Sequence, residues 1–229
     1  IAEIGDSDGG TMTLLNNKTG GIWAIAEAEA TGDSAGYASA EATGAEFYAY
    51  NMELAELDAV NKGLIAASAL ATASANTGDF GASAYAMGVT IENGDGGLGG
   101  TFKNGKSGMV FANAIATGEN TFAGAVGIAA DSPNNGIYIL NNGLIAAYAE
   151  GAEAQATGIA IGSSGPTLTG APIEPTAIAT IENHADIWAG ISTDGGDTVL
   201  RGNAINTQYS NNAVTILLEN NSPANIFGN

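Results

Sequence analysis

The chain has no cysteine, one histidine, five prolines, and only five lysines and arginines together in 229 residues. Each scarcity removes something. Without Cys there is no thiol nucleophile and no thiolate metal site, and no disulfide can staple the fold. A single imidazole, that of His184, would need a nucleophile and an orienting group to act as a base, and no motif marks either. Five cations against 24 Asp and Glu give a formal net charge of −19. Such a field repels nucleic acid and anionic lipid, which sets aside a nucleic-acid role, and it attracts divalent cations. No stretch approaches the roughly 20 strongly apolar residues of a membrane span, because much of the 45% hydrophobic content is Ala. The chain opens at Ile1 with neither Met nor a basic leader, and reads as a mature or trimmed segment.

What is present is repetition. An apolar or Thr-containing stretch leads to Asn, usually then Gly, then a β-branched residue followed by alternating Ala. Leu140-Asn141-Asn142-Gly143-Leu144-Ile145-Ala146-Ala147 is the cleanest copy, and Val60-Asn61-Lys62-Gly63-Leu64-Ile65-Ala66-Ala67 matches it. The asparagines at 17, 61, 104, 141, 183 and 220 recur 44, 43, 37, 42 and 37 residues apart. A persistent but uneven period suits a solenoid whose coils absorb insertions at their corners. The expectation is one domain over residues 1–229, with repeats starting near 13, 57, 101, 138, 180 and 215.

Inside each repeat the period is two. From Ile65, odd positions read Ile65, Ala67, Ala69, Ala71, Ala73 and Ala75, while even ones carry Ser68, Leu70, Thr72 and Ser74. Strict alternation signals strands, although Ala favours helix and residues 52–60 have the composition of a short one. The expected fold is all-β. Facing Ala columns predict flattened coils with two long arms around a thin methyl layer, and β-branched residues filling a wider part near the Asn corner. Thr-Gly at 31–32, 43–44, 77–78, 117–118 and 157–158 reads as turns between arms. An inward ladder of Asn17, Asn61, Asn104, Asn141, Asn183 and Asn220 would satisfy corner carbonyls, with the following Gly supplying a backbone conformation other residues resist.

These I-x-N-x-G-x-I-x-A-x-A repeats with Thr-Gly breaks resemble the β-strand repeats of bacterial autotransporter passengers and related surface adhesins, over most of the chain. The resemblance implies a right-handed parallel β-helix, secretion and a role at the bacterial surface, and it carries over no catalytic residues. The long Ala arms and the lack of an autotransporter barrel depart from that pattern.

Three Gly/Asp loops have a composition suited to Ca²⁺: around Asp6 and Asp8, around Asp95, and around Asp194 and Asp197. None completes an EF-hand, and plain surface turns are the simpler reading. If Ile22 and Ile187 point inward, Trp23 and Trp188 point outward, and Phe111 keeps the same phase, so these three are contact candidates. Tyr37, Tyr85 and Tyr148 fall on outward phases too. The β-prone stretch from Val214 to Leu218, with no obvious cap, offers an edge for self-association. The functional expectation is an extracellular structural or adhesive protein that associates with itself or with a cell-surface glycan or protein. The alternatives are a subunit of a self-assembling filament, and a polysaccharide lyase or hydrolase on the same scaffold with Arg201 near Asp194 and Asp197.

Overall fold

Alternation of small inward and polar outward side chains drives almost all of the described chain into extended strands, and these stack by parallel pairing into three sheets. The computed structural model describes residues 2–5, 10–32, 36–50, 55–75, 81–93, 98–131, 136–162, 179–207, 214–218 and 226–228. A base sheet holds β2 (Gly10–Asn16), β5 (Ala55–Asn61), β8 (Leu98–Asn104), β11 (Ile137–Asn141), β14 (Ala179–Asn183) and β18 (Val214–Leu218). A front sheet holds β3 (Gly21–Gly32), β6 (Leu64–Ala75), β9 (Met109–Thr117), β12 (Leu144–Glu150) and β15 (Ile187–Ser192). A back sheet holds β1 (Ala2–Gly5), β4 (Tyr37–Tyr50), β7 (Gly81–Asn93), β10 (Asn120–Asp131), β13 (Glu153–Ile161) and β17 (Asn203–Asn206). The chain visits base, front and back in turn, so sheet neighbours are one coil apart, as in a solenoid. Among the described residues there is no helix, hence none long and apolar enough to cross a membrane. Of residues 52–60, where a short helix competed, 55–60 belong to strand β5 and 52–54 lie outside the described residues.

Strand β16 (Leu200–Arg201) departs from this order. It folds back antiparallel on Gly190 and Ile191, while β19 (Ile226–Phe227) pairs in parallel with Ile187 and Trp188. Together they cover the outer edge of β15, a cap that the composition of 193–201 did not announce. Val214–Leu218 is itself paired in parallel with β14.

The core has two parts. Near the Asn corner, Ile, Val, Leu and Phe fill a wide interior, with Phe47, Leu57, Phe102 and Ile139 buried. Beyond it the front and back strands run as long arms around a methyl layer. Ala67, Ala69, Ala71 and Ala73 of the front pack with Ala82, Ala84 and Ala86 of the back, in one buried cluster. Ala loses no rotamer freedom on burial, so the layer orders at little side-chain entropy cost. It also leaves no room for anything larger.

Where the two parts meet, the back strands kink. Inward positions are even up to Ala42 and odd from Ala45; the phase slips likewise after Ala86, Ala125 and Ala156. Gly44, Gly88, Gly127 and Gly158 occupy the slips in adjacent strands, and Ala204 stands at the same level of β17. The residues at 43–44 and 157–158 are therefore kinks inside strands, not turns between arms, whereas Thr31-Gly32 and Thr117-Gly118 do lie at strand ends; Thr77-Gly78 is outside the described residues. Space dictates glycine here. A Cβ on Gly88 would stand 2.6 Å from both the Gly127 carbonyl oxygen and Val110 Cγ1, and one on Gly127 would stand 2.7 Å from Ile145 Cγ2. The kink lets branched residues of the front sheet pass under the back sheet where the interior widens.

Two measurements check this packing. Ala71→Leu inserts three carbons into a layer with no void and should lower the unfolding free energy by about 1–3 kcal/mol in denaturant titration. Gly88→Ala should destabilise on a similar scale, while Gly36→Ala, whose added Cβ meets its nearest neighbour at 3.6 Å, should stay within about 0.5 kcal/mol of the parent.

Candidate functional site

The corner between base and front strands organises everything around it. Each base strand ends on an inward Asn, because Met12, Leu14 and Asn16 share one face of β2 as Leu57, Ala59 and Asn61 share one face of β5. The side chains bond along the stack. Asn16 Nδ2 donates to Asn61 Oδ1 at 2.9 Å, Asn61 to Asn104 at 2.9 Å, Asn104 to Asn141 at 2.9 Å, and Asn141 to Asn183 at 2.7 Å. The second Nδ2 hydrogen reaches a carbonyl one coil on, that of Leu64, Met109, Leu144 or Asp186.

Two members of the expected ladder are displaced. Asn17 is exposed, and Asn16 pairs with Asn61 in register. The corner of this coil is two residues longer than its neighbour's, so the match to Asn-x-Gly slides by one. At the other end, Asn183 pairs in register with Leu218, two residues before Asn220, which is outside the described residues. Asn183 instead donates to the carbonyl of Ala185 in its own corner at 2.7 Å. The corner glycines have a different reason from the one expected. Gly63 and Gly143 are not among the described glycines with positive φ. A Cβ on Gly63 would lie 2.2 Å from the Gly20 carbonyl oxygen, and one on Gly108 would lie 2.2 Å from Asn104 Oδ1. Close stacking of corners, not a left-handed backbone, excludes side chains there.

Outside this corner stand all four lysines of the chain. Lys18, Lys62 and Lys106 lie in the corner turns of three successive coils, and Lys103 precedes Asn104 on the outer side of β8. All four are exposed. This ridge was missed because the lysines are few; the signal was their position, each within two residues of an Asn that ends a base strand.

Past the ridge spreads the outer face of the front sheet. One column runs Trp23, Ala66, Phe111, Ala146, Trp188 and Phe227 in register. The three aromatic contact candidates thus fall on a single line. Trp23 is 65% exposed and its neighbour along β3, Ile25, 68%, whereas Ala66 and Ala146, also outward, are only 2% and 5% exposed. Trp23 and Phe111 flank Ala66 in register, as Phe111 and Trp188 flank Ala146. Leu64, Met109 and Leu144 form the next column toward the lysines. At the far end Trp188 stacks with Tyr148 and with Phe227 at 6.2 and 5.8 Å between centroids. Tyr37 and Tyr85 belong to the opposite, back sheet. Tyr37 donates to Ser83 Oγ, and Tyr85 packs on Phe122.

Of the remaining candidates, Asp194, Asp197, His184 and Arg201 are among the described residues. Asp194 Oδ1 accepts from Ser192 Oγ and from the Thr198 amide, both at 2.9 Å, and closes the turn carrying Gly195 and Gly196 at φ of 76° and 90°. The Thr198 hydroxyl and amide, with Ser192, hold its carboxyl below the usual aspartate range. Asp197 is exposed in the same turn, and Asp6, Asp8 and Asp95 lie outside the described residues. Among the described residues no three of His, Asp and Glu converge on a common point. His184 Nε2 lies 2.6 Å from Glu182 Oε1, and that carboxylate also accepts from the Tyr138 hydroxyl; the latter bond, then the former, lower its pKa. Arg201 lies over the Phe227 ring, 5.3 Å from its centroid.

Replacing Asn104 with Ala would leave the Asn61 amide, Asn141 Oδ1 and the Leu144 carbonyl each short of a buried bond. Chemical denaturation should show a loss of roughly 3 kcal/mol for Asn104→Ala, against less than about 0.5 kcal/mol for Asn17→Ala at the solvated corner. No protein-family model, curated protein or solved structure matches the chain.

Proposed function

We propose that this is a non-catalytic extracellular structural or adhesive protein of the bacterial surface, working by association through the outer face of its front sheet. In this reading the scaffold is a right-handed parallel β-helix of about six repeats of roughly 42 residues, the hand that parallel crossover connections favour almost without exception. One observation carries the reading: Trp23, Ile25, Leu70 and Met109 stand on one sheet face, each more than a third exposed. A contiguous apolar face is costly in solvent, and it commonly marks a place where something else sits. The buried Ala layer packed behind it holds the sheet in place, so little ordering entropy is lost when the face is covered. The net charge of −19 keeps the rest of the surface apart from other copies and suits a protein held outside the cell.

The test is a double substitution, Trp23→Ser with Ile25→Ser. Both positions are exposed, so circular dichroism and the thermal midpoint should match the parent. Light scattering and binding to bacterial and host cells should show association falling at least roughly tenfold, the loss of two aromatic or aliphatic anchors. Unchanged association of the variant, or cleavage of an acidic polysaccharide by the parent, would overturn the proposal.

A further inference from the structure

The front face is banded across its strands, and the bands differ in charge. One long edge is the lysine ridge of the corner. The middle is mainly apolar, with Met109, Leu64, Trp23, Phe111 and Ile25, and Ser68 and Asn113 stand in register with Ile25. The other edge, toward the tip of the arms, carries Glu29 on β3 and Glu119 in the turn after β9, both exposed, while Glu27 shares a column with Leu70 and Ile115. We infer that the occupant of this face is a second copy of the same chain, lying alongside in parallel about a two-fold axis that runs along the stacking direction. This rests on reading the face as an association surface, and names its partner.

The charges select the arrangement. Two copies meeting face to face can be related by a two-fold along the strands or by one along the stack. The first lays lysine ridge on lysine ridge, in a chain that has no other lysines. The second turns the strand direction around and lays each ridge on the partner's glutamates. The coil positions then agree. Lys18 precedes Ala24 by six residues and Glu29 follows it by five; Lys106 precedes Ala112 by six and Glu119 follows it by seven. Ala24 and Ala112 are joined in register through Ala67, so a single axis at this level sets Lys18 toward Glu29 and Lys106 toward Glu119 across the pair, while Lys62 on the coil between them has no glutamate opposite. Like faces related this way are self-complementary and close at two copies, giving a dimer rather than a fibre. Strand spacings of about 4.8 Å and rises of about 3.3 Å make the face on the order of 600 Å² per copy, enough to clear the roughly 1,000 Å² total of a specific interface. The apolar band supplies affinity, and the edges supply orientation.

Sedimentation velocity on the whole chain tests this. The parent should dimerise, and Trp23→Ser with Ile25→Ser should leave monomer. Lys18→Glu with Lys106→Glu should weaken dimerisation roughly tenfold by opposing carboxylates at both edges, as should Glu29→Lys with Glu119→Lys by opposing ammonium groups. An equimolar mixture of the two charge-reversed chains should recover the parent's dimer, because each edge of the mixed pair is matched again. Circular dichroism verifies that these exposed substitutions leave the strands intact. A parent that stays monomeric while still binding cells through Trp23 overturns the pairing and leaves the association reading standing. Charge-reversed chains that dimerise as the parent does, or a mixture that fails to recover, overturn the pairing equally.

Discussion

The structure depends on one constraint: in a parallel in-register stack, every inward side chain meets its own counterpart about 4.8 Å above and below. A residue must therefore fit copies of itself as well as the opposite wall. Asn meets this condition because its amide both donates and accepts along the axis, and the Asn16-to-Asn183 chain uses that property at a corner where carbonyls turn inward. Ala meets it by being small. Glycine meets it at Gly44, Gly88, Gly127 and Gly158, where the carbonyl of the next coil and a branched side chain of the front sheet leave no space for Cβ. The Asn, Gly and inner Ala columns are uniform on this ground, whereas the wide interior near the Asn corner mixes sizes, with Met12, Leu57, Gly100, Ile137 and Ala179 in one column.

That self-matching explains what could be read from the sequence. A column in space is a period in the chain, so the recurrent Asn, the Ala alternation and the split between branched and methyl-lined interior were all legible. Register was less so. Asn16 and Asn17 are adjacent, and only the phase of Met12 and Leu14 against the neighbouring coil decides which one turns inward. The dipeptide Thr-Gly has the same composition at a strand end (31–32) and at a kink (43–44); its meaning is set by Gly88 and Ile65, far away in sequence. The loop at 193–199 that returns β16 antiparallel onto β15 breaks the repeat, and a reading based on periodicity has no purchase on it.

The candidate site was legible only in part, for the same reason. Trp23, Phe111 and Trp188 share a phase, and phase alone puts them on one line. The lysines share no period-two phase with them, because Lys18, Lys62 and Lys106 sit in corner turns of differing length. Their grouping into a ridge arises from stacking the corners, and so does its separation from the glutamates by the length of a front strand.

Outward columns escape the self-matching rule, and the aromatic column uses that freedom. Inward, Ala67 faces Ala24 and Ala112; outward, Ala66 stands between Trp23 and Phe111, and Ala146 between Phe111 and Trp188. Rings on every coil at this spacing would have to stack on one another edge-up, projecting from the sheet. The two indoles lie along their own strands, Trp23 against Gly21 and Trp188 against Gly190, where a Cβ would meet the ring at 2.8 and 2.4 Å, and Ala66 and Ala146 are buried although they point outward. The result is a low apolar pavement rather than a row of ridges. The alternation ends at Trp188, whose register neighbour Phe227 is aromatic; there the rings do stack, Tyr148 joins them and Arg201 covers the last. The pavement is thus satisfied by its own side chains at one end and open at the other, where Trp23 and Ile25 are exposed. A flat, rigid, apolar surface with cations on one border suits another flat surface better than it suits a flexible or deeply contoured ligand, since shape complementarity over a sheet face requires a partner that is itself nearly planar.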